Sequence, residues 1–172
     1  AVVFIDIGQE VMIEGDVSAA VNRGVKRAYA DGYYRKSVLD PITRKNTGDN
    51  TPAVIHYDIV AGDRVKISVM AKGFGSENMG VLRMMKPSDG VAGIKALVAE
   101  AVKTAGGSPC PPVILGIGIG GTMEQAALLA KRQLFRDLDD ENQDESLAAL
   151  EQELCGIANN QGAVRPQSRQ GI

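Results

Sequence analysis

The sequence predicts an α/β fold, a mixed β-sheet with flanking helices, and three observations carry that prediction. Short runs rich in β-branched residues recur at 1–8, 54–60, 64–71 and 112–120. Apolar stripes of helical spacing lie among them, over about 17–31, 91–105, 123–136 and 146–157. Over 172 residues, 44% hydrophobic and 23% charged side chains give the composition of one globular domain, long enough to bury a core.

Taken in order, Ala1 to Gly8 reads AVVFIDIG, a buried strand. A core strand that opens at the first residue leads us to expect further natural sequence upstream. Asp16 is the expected N-cap of a helix over 17–31, with Val17, Ala20, Val21, Val25 and Ala28 as its apolar stripe and Gly32 as its stop. The run Asn46-Thr47-Gly48-Asp49-Asn50-Thr51-Pro52 is a polar loop. The segments VIHYDIV (54–60) and RVKISVMA (64–71) flank Ala61-Gly62-Asp63 and predict a β-hairpin. A glycine- and methionine-rich stretch follows over 72–90. The next helix carries Val91, Ile94, Val98 and Val102 on one face and ends at Gly106-Gly107. VILGIGIG, within 112–120, reads as a buried strand. Thr122 and Gln125 have capping-box spacing for the helix after it.

Composition excludes several functions. With 19 basic and 21 acidic residues the net charge is −2, which argues against an electrostatic nucleic-acid binder. Aromatic residues make up 4% and tryptophan is absent, leaving few platforms on which bases could stack. No apolar run reaches the ~18–20 residues that span a bilayer, and no secretory signal core is present. Two cysteines and one histidine exclude a self-contained zinc site and a disulfide framework, so a cytoplasmic setting is expected.

Four places could carry chemistry. Gly116-Ile117-Gly118-Ile119-Gly120-Gly121 satisfies the dinucleotide pattern G-x-G-x-x-G, yet the helix after it leads into RDLDDENQDES instead of a strand ending in an acid. Tight strand-to-helix packing, or a small anion at the helix N-terminus, accounts for the same glycines. Cys110 sits in Ser108-Pro109-Cys110-Pro111-Pro112, where three prolines present the thiol rigidly. That suits iron–sulfur ligation, and a buried cysteine acting as a small hydrophobe is the alternative. Cys155 reads as structural or incidental. His56 reads as an exposed strand histidine on the face of Val54, Asp58 and Val60, with no G-x-S-x-G elbow to support a catalytic triad. Arg35, one of several cations over 23–45, follows a helix stop and could hold a carboxylate bidentately.

Longer stretches are more specific: AVVFIDIGQ (1–9), GYYRKSVLDP (32–41), RKNTGDNTPAVIH (44–56), KGFGSENMGVLRMMKPSDG (72–90) and GGSPCPPVILGIGIGGTMEQAALLAKRQLFR (106–136). Together they resemble the alpha subunit, or N-terminal domain, of class I iron–sulfur fumarate hydratases and their tartrate dehydratase relatives. The resemblance implies reversible hydration of fumarate to L-malate, a step of the tricarboxylic acid cycle. It also implies a 4Fe–4S cluster held by three cysteines, with one iron open to substrate as a Lewis acid. Cys110 matches one cluster ligand, Arg35 the clamp on a substrate carboxylate, and Gly75 a backbone contact to substrate in the GSEN segment. The other two cysteines would lie outside this chain, one of them in a C-Q-D-T-G motif just upstream of Ala1. The acid and base groups are left unassigned. The implied partners are a small dicarboxylate and a beta subunit or C-terminal domain, in a homo- or hetero-oligomer.

The resemblance covers residues 1–154, read as an alpha-type cluster-binding domain incomplete at its N-terminus. Residues 155–172 read as a divergent tail, disordered or aberrant, consistent with a fragment boundary or a frameshift. On this reading the isolated chain is inactive. L-Tartrate dehydratase is the alternative activity, and a catalytically inactive assembly module the alternative from another class.

Overall fold

The computed structural model describes residues 1–71 and 73–161. They form a mixed three-stranded sheet and five α-helices, the α/β class expected. The chain divides into two compact units, Ala1–Phe74 and Gly75–Ile172.

In the first unit the central strand β1 (Val2–Gly8) lies between β2 (Val54–Val60) and β3 (Val65–Met70). β2 runs parallel to β1, with Val3 opposite Ile55, while β3 runs antiparallel, with Val3 opposite Val69. The predicted hairpin is therefore corrected: β2 and β3 do not pair with each other, because β1 occupies the place between them. Their connection crosses the end of β1, where the Gly8 N–H donates to the Arg64 carbonyl (2.8 Å) and the Gln9 N–H to the Val60 carbonyl (2.8 Å). A Cβ at Gly8 would collide with the Gly62 carbonyl, so the crossing requires glycine there. Local sequence could not reveal this. Two strands joined by a short polar turn look alike whether or not a third is inserted between them.

β1 is the core of this unit: Val2, Val3, Phe4 and Ile5 are all buried, which covers both of its faces. The helix α1 (Val17–Asp31) links β1 to its parallel neighbour β2. Asp16 caps it, accepting from the Ala19 N–H at 2.8 Å, and the Gly32 N–H closes it on the Ala28 carbonyl. Its buried positions are Val25 and Tyr29, and Ala28 of the expected stripe is exposed. α1 is tied to β2 and its approach by Ser18 Oγ against the Tyr57 hydroxyl (2.7 Å) and by the Ala53 N–H donating to Asn22 Oδ1 (2.8 Å).

The boundary falls within α2 (Phe74–Glu77), and the second unit continues with a 3₁₀ turn at Pro87–Asp89, α3 (Gly90–Ala105), α4 (Met123–Gln133) and α5 (Glu145–Asn160). Val98 and Val102 of α3 and Leu154 and Ala158 of α5 make its core, with Ile117, Leu150 and Ile157 packed on it. The expected tail at 155–172 thus begins inside a packed helix. Residues 155–160 are helical and Ala158 is buried, while 162–172 lie outside the described residues.

Two further expectations are corrected here. The VILGIGIG segment is not a strand: residues 113–119 have no sheet partner, and Ile114, Leu115 and Ile119 are exposed. The Thr122 and Gln125 capping box does not form, and the Thr122 hydroxyl donates instead to Glu124 Oε1 at 2.6 Å.

Candidate functional site

The loop that carries Cys110 begins where α3 ends. The Gly106 N–H donates to the Val102 carbonyl at 3.1 Å, and the Ser108 N–H to the Ala105 carbonyl at 3.1 Å. The Cys110 N–H then reaches the Gly107 carbonyl at 3.2 Å. Three successive short bonds wind the chain tightly, and Pro109, Pro111 and Pro112 restrict what remains. Cys110 itself has φ +58°, a left-handed conformation that is strained for a residue with a Cβ. Its thiol is free and exposed, so the reading of Cys110 as a buried hydrophobe does not hold. A strained, rigid backbone that turns a thiol outward suits ligation and not packing.

Gly75 approaches this loop. A Cβ on Gly75 would stand 2.8 Å from the Ser108 carbonyl oxygen, so the backbone of α2 rests directly against the turn before Cys110. The structure therefore brings together two of the three residues singled out in the sequence, although they are 35 positions apart. Arg35 belongs to the first unit, where it is exposed and forms no ion pair among the described residues.

The loop that follows Arg35 is held by its own polar side chains. Asn50, buried and at φ +63°, accepts from the Ser37 N–H at 2.8 Å. It also bonds the Tyr29 hydroxyl, whose pKa is nonetheless raised, chiefly by burial. Asp40 accepts from the Thr43 N–H (2.6 Å) and hydroxyl (2.8 Å), and these bonds hold its pKa below the usual carboxylate value. Asp49 is lowered in the same way, first by the Thr51 hydroxyl at 2.7 Å and then by the Thr51 N–H, with Lys26 adding a smaller effect. Together these anchors fix the segment from which Arg35 projects.

Downstream of Cys110 the glycines do structural work. A Cβ at Gly116 would collide with the Ala130 carbonyl of α4, and one at Gly118 with the Ala126 carbonyl. The G-x-G-x-x-G match is accounted for by close packing of an extended segment on α4. His56 is also reassigned: it is half-buried, its ring stacked on Phe4 at 4.7 Å, instead of exposed. Sequence reasoning missed the ion pair of Glu77 in α2 with Lys131 in α4, a pairing across 54 positions that no local pattern announces.

Among the described residues no group of three or more His, Cys, Asp or Glu side chains could hold a metal ion. Cys110 fits the role of a single cluster thiolate, and Cys155 lies on α5, exposed, with Asn159 Nδ2 3.6 Å from its sulfur. The described residues thus fit one ligand of a cluster and not a whole cluster site. Two surface hollows, along α5 and along α3, include none of Arg35, Gly75 and Cys110. No helix of the described residues is long and apolar enough to cross a membrane.

The fold is an α/β domain with an exposed thiol on a glycine-backed loop, and comparison with known proteins gives its family, one of hydro-lyase enzymes. Residues 1–164 match the model of the fumarate hydratase (Fumerase) family, and the chain belongs to it. A protein of Methanocaldococcus jannaschii, provisionally named L(+)-tartrate dehydratase subunit alpha, is 40% identical over 168 residues, covering 94% of this chain and 59% of that protein. The L(+)-tartrate dehydratase subunit alpha of Escherichia coli strain UTI89 is 28% identical over 172 residues, covering 98% of this chain and 56% of the relative. The chain thus spans less than three-fifths of the length of these curated relatives.

Proposed function

We propose that this chain is the larger part of an alpha subunit in an iron–sulfur hydro-lyase that acts on a hydroxydicarboxylate, with L-tartrate as its substrate. The 40% identity to the M. jannaschii protein, spread over 94% of the chain, is the observation that carries this reading. Fumarate, with L-malate as product, is the second reading, and the description of the matching family favours it.

Elimination of water from either hydroxy acid requires a carboxylate held still, a proton removed from the carbon beside it, and a hydroxide leaving the next carbon. Arg35, whose planar guanidinium can form two parallel bonds, is the residue proposed to hold the carboxylate. The backbone of Gly75, on the short helix against the Cys110 loop, is proposed as a second contact to substrate. Cys110 is the thiolate with which this chain would help hold a 4Fe–4S cluster, whose open iron would draw electrons from the departing hydroxyl. From tartrate, loss of water leaves an enol that becomes a keto acid, whereas L-malate gives fumarate. A beta subunit or C-terminal domain is the proposed partner, supplying groups this chain lacks. Two free, exposed cysteines support a reducing setting such as the cytoplasm.

The test is to co-express the complete alpha polypeptide with its beta partner, reconstitute the cluster without air, and supply L-tartrate and fumarate in parallel. Keto-acid formation from L-tartrate, abolished by air, is the expected result. Turnover of fumarate alone would install the second reading. No turnover of either, with cluster absorbance present, would overturn both.

A further inference from the structure

We propose that the Lys131–Glu77 ion pair is a positioning device that holds α2, and with it Gly75, against the Cys110 loop. The inference rests on the proposed function for the importance of Gly75 and Cys110, but its geometry stands independently. A helix of four residues has no stability of its own, because a single turn leaves its nucleation cost unrecovered. α2 is therefore placed by what it touches. At Gly75 its backbone lies against Ser108, two residues before the thiol. Two residues further along, Glu77 meets the Lys131 ammonium, whose side chain is only 24% exposed. An ammonium so enclosed depends on its carboxylate more than a surface lysine does, since less water remains to solvate it alone.

Lys131 stands on the same helix that seats the chain after Cys110. Gly116 and Gly118 press on α4 at Ala130 and Ala126, within one and five residues of Lys131. α4 thus holds one side of the site through glycine packing and the other through an ion pair. The result is a closed circuit: α4 to Gly116, back along the chain to Cys110 and Ser108, across to Gly75, on to Glu77 and back to α4. Cutting the ion pair removes one tie between α2 and α4 and leaves the glycine packing untouched. Misplacement by a fraction of an ångström at a substrate contact is enough to weaken binding severalfold.

The experiment compares Lys131→Met and Glu77→Gln with Lys131→Arg and with the charge-exchanged double variant Lys131→Glu/Glu77→Lys. The first readout is the rate at which iodoacetamide alkylates Cys110 in the cluster-free protein, followed by mass spectrometry with Cys155 as internal reference. The second is KM and kcat of the complete reconstituted enzyme, with cluster absorbance measured on the same samples. In Lys131→Met we expect Cys110 alkylation to change about threefold or more and that of Cys155 to stay put. KM should rise about fivefold, more than kcat falls, with cluster absorbance retained and both effects reversed in Lys131→Arg. Cys110 reactivity and KM that match the parent would overturn the proposal. So would equal changes at both cysteines, which mean general loosening, or no recovery with arginine. A parent that turns over no hydroxydicarboxylate would sink the proposed function, and the alkylation comparison would then decide the positioning role alone.

Discussion

At Cys110 the backbone is strained and the side chain is exposed, so the residue contributes little to the fold and its replacement should be structurally cheap. Cys110→Ser keeps the shape and removes the thiolate. We expect unfolding stability within about 0.5 kcal/mol of the parent by urea titration, together with loss of bound iron from the complete enzyme. Retained iron would remove Cys110 from the ligand set. Arg35 invites a similar experiment. It is exposed and free of ion pairs among the described residues, so Arg35→Lys should leave stability alone while raising KM about tenfold, the loss expected when a two-pronged contact becomes a point charge. An unchanged KM would take Arg35 out of the substrate site. Both residues could be singled out as candidates from the sequence, because prolines around a cysteine and an arginine beyond a glycine stop are local patterns, while their roles came from the resemblance. Lys131 and Glu77 could not be, because their meeting depends on how α2 and α4 pack.

Among the elements, α4 and α5 offer a contrast between glycines that are needed and a glycine that is not. Gly118 lies against the Ala126 carbonyl, so Gly118→Ala must push the segment off α4, at a cost of about 1–3 kcal/mol in unfolding free energy. Gly156, inside α5, has nothing within 4 Å of an added Cβ. Gly156→Ala should therefore stabilise the chain by about 0.5–1 kcal/mol through helix propensity alone. Opposite signs in the two denaturation curves are the expected outcome, and a stabilising Gly118→Ala would contradict the packing described for α4. The helix periodicities predicted α1, α3, α4 and α5 to within a few residues, since each buries a stripe that recurs at helical spacing. The strand runs were less reliable guides. VILGIGIG has strand composition, yet its alternating glycines serve contact with a helix.

For the whole molecule, the clearest handle is acid. Asp40, Asp49, Asp144 and Glu151 all have pKa values held below their ordinary ones. The largest causes are the Thr43 N–H, the Thr51 hydroxyl, the Ser146 hydroxyl and the Arg136 guanidinium respectively. A carboxylate with a lower pKa folded than unfolded binds fewer protons in the native state. It therefore adds stability above the unfolded value of about 4, and loses it as pH falls through the folded value. The urea midpoint should be flat from neutral pH to about 5 and drop below about 4. Asp144→Asn, which keeps an acceptor at the N-cap of α5 but removes a titrating carboxylate, should make that drop shallower. Asp40, Asp144 and Glu151 are exposed and Asp49 is half-buried beside an exposed Lys26, so added salt should reduce the part owed to Lys26 and Arg136 and spare the hydrogen-bonded part. A midpoint that rises on acidification would contradict this account.

What the sequence determined by itself was whatever rests on neighbouring residues: the α/β class, the helices and their caps at Asp16 and Gly32, the rigid presentation of Cys110, and the motif resemblance that led to the family. Only the tertiary structure decided the rest. It placed β1 between two strands that read as a hairpin, laid the glycine segment on α4, stacked His56 on Phe4, and set Gly75 against Ser108. The physical reason is common to all four. Periodicity and propensity report on one chain segment and its solvent, whereas a pairing between distant segments is fixed by the surfaces that remain once each element has formed.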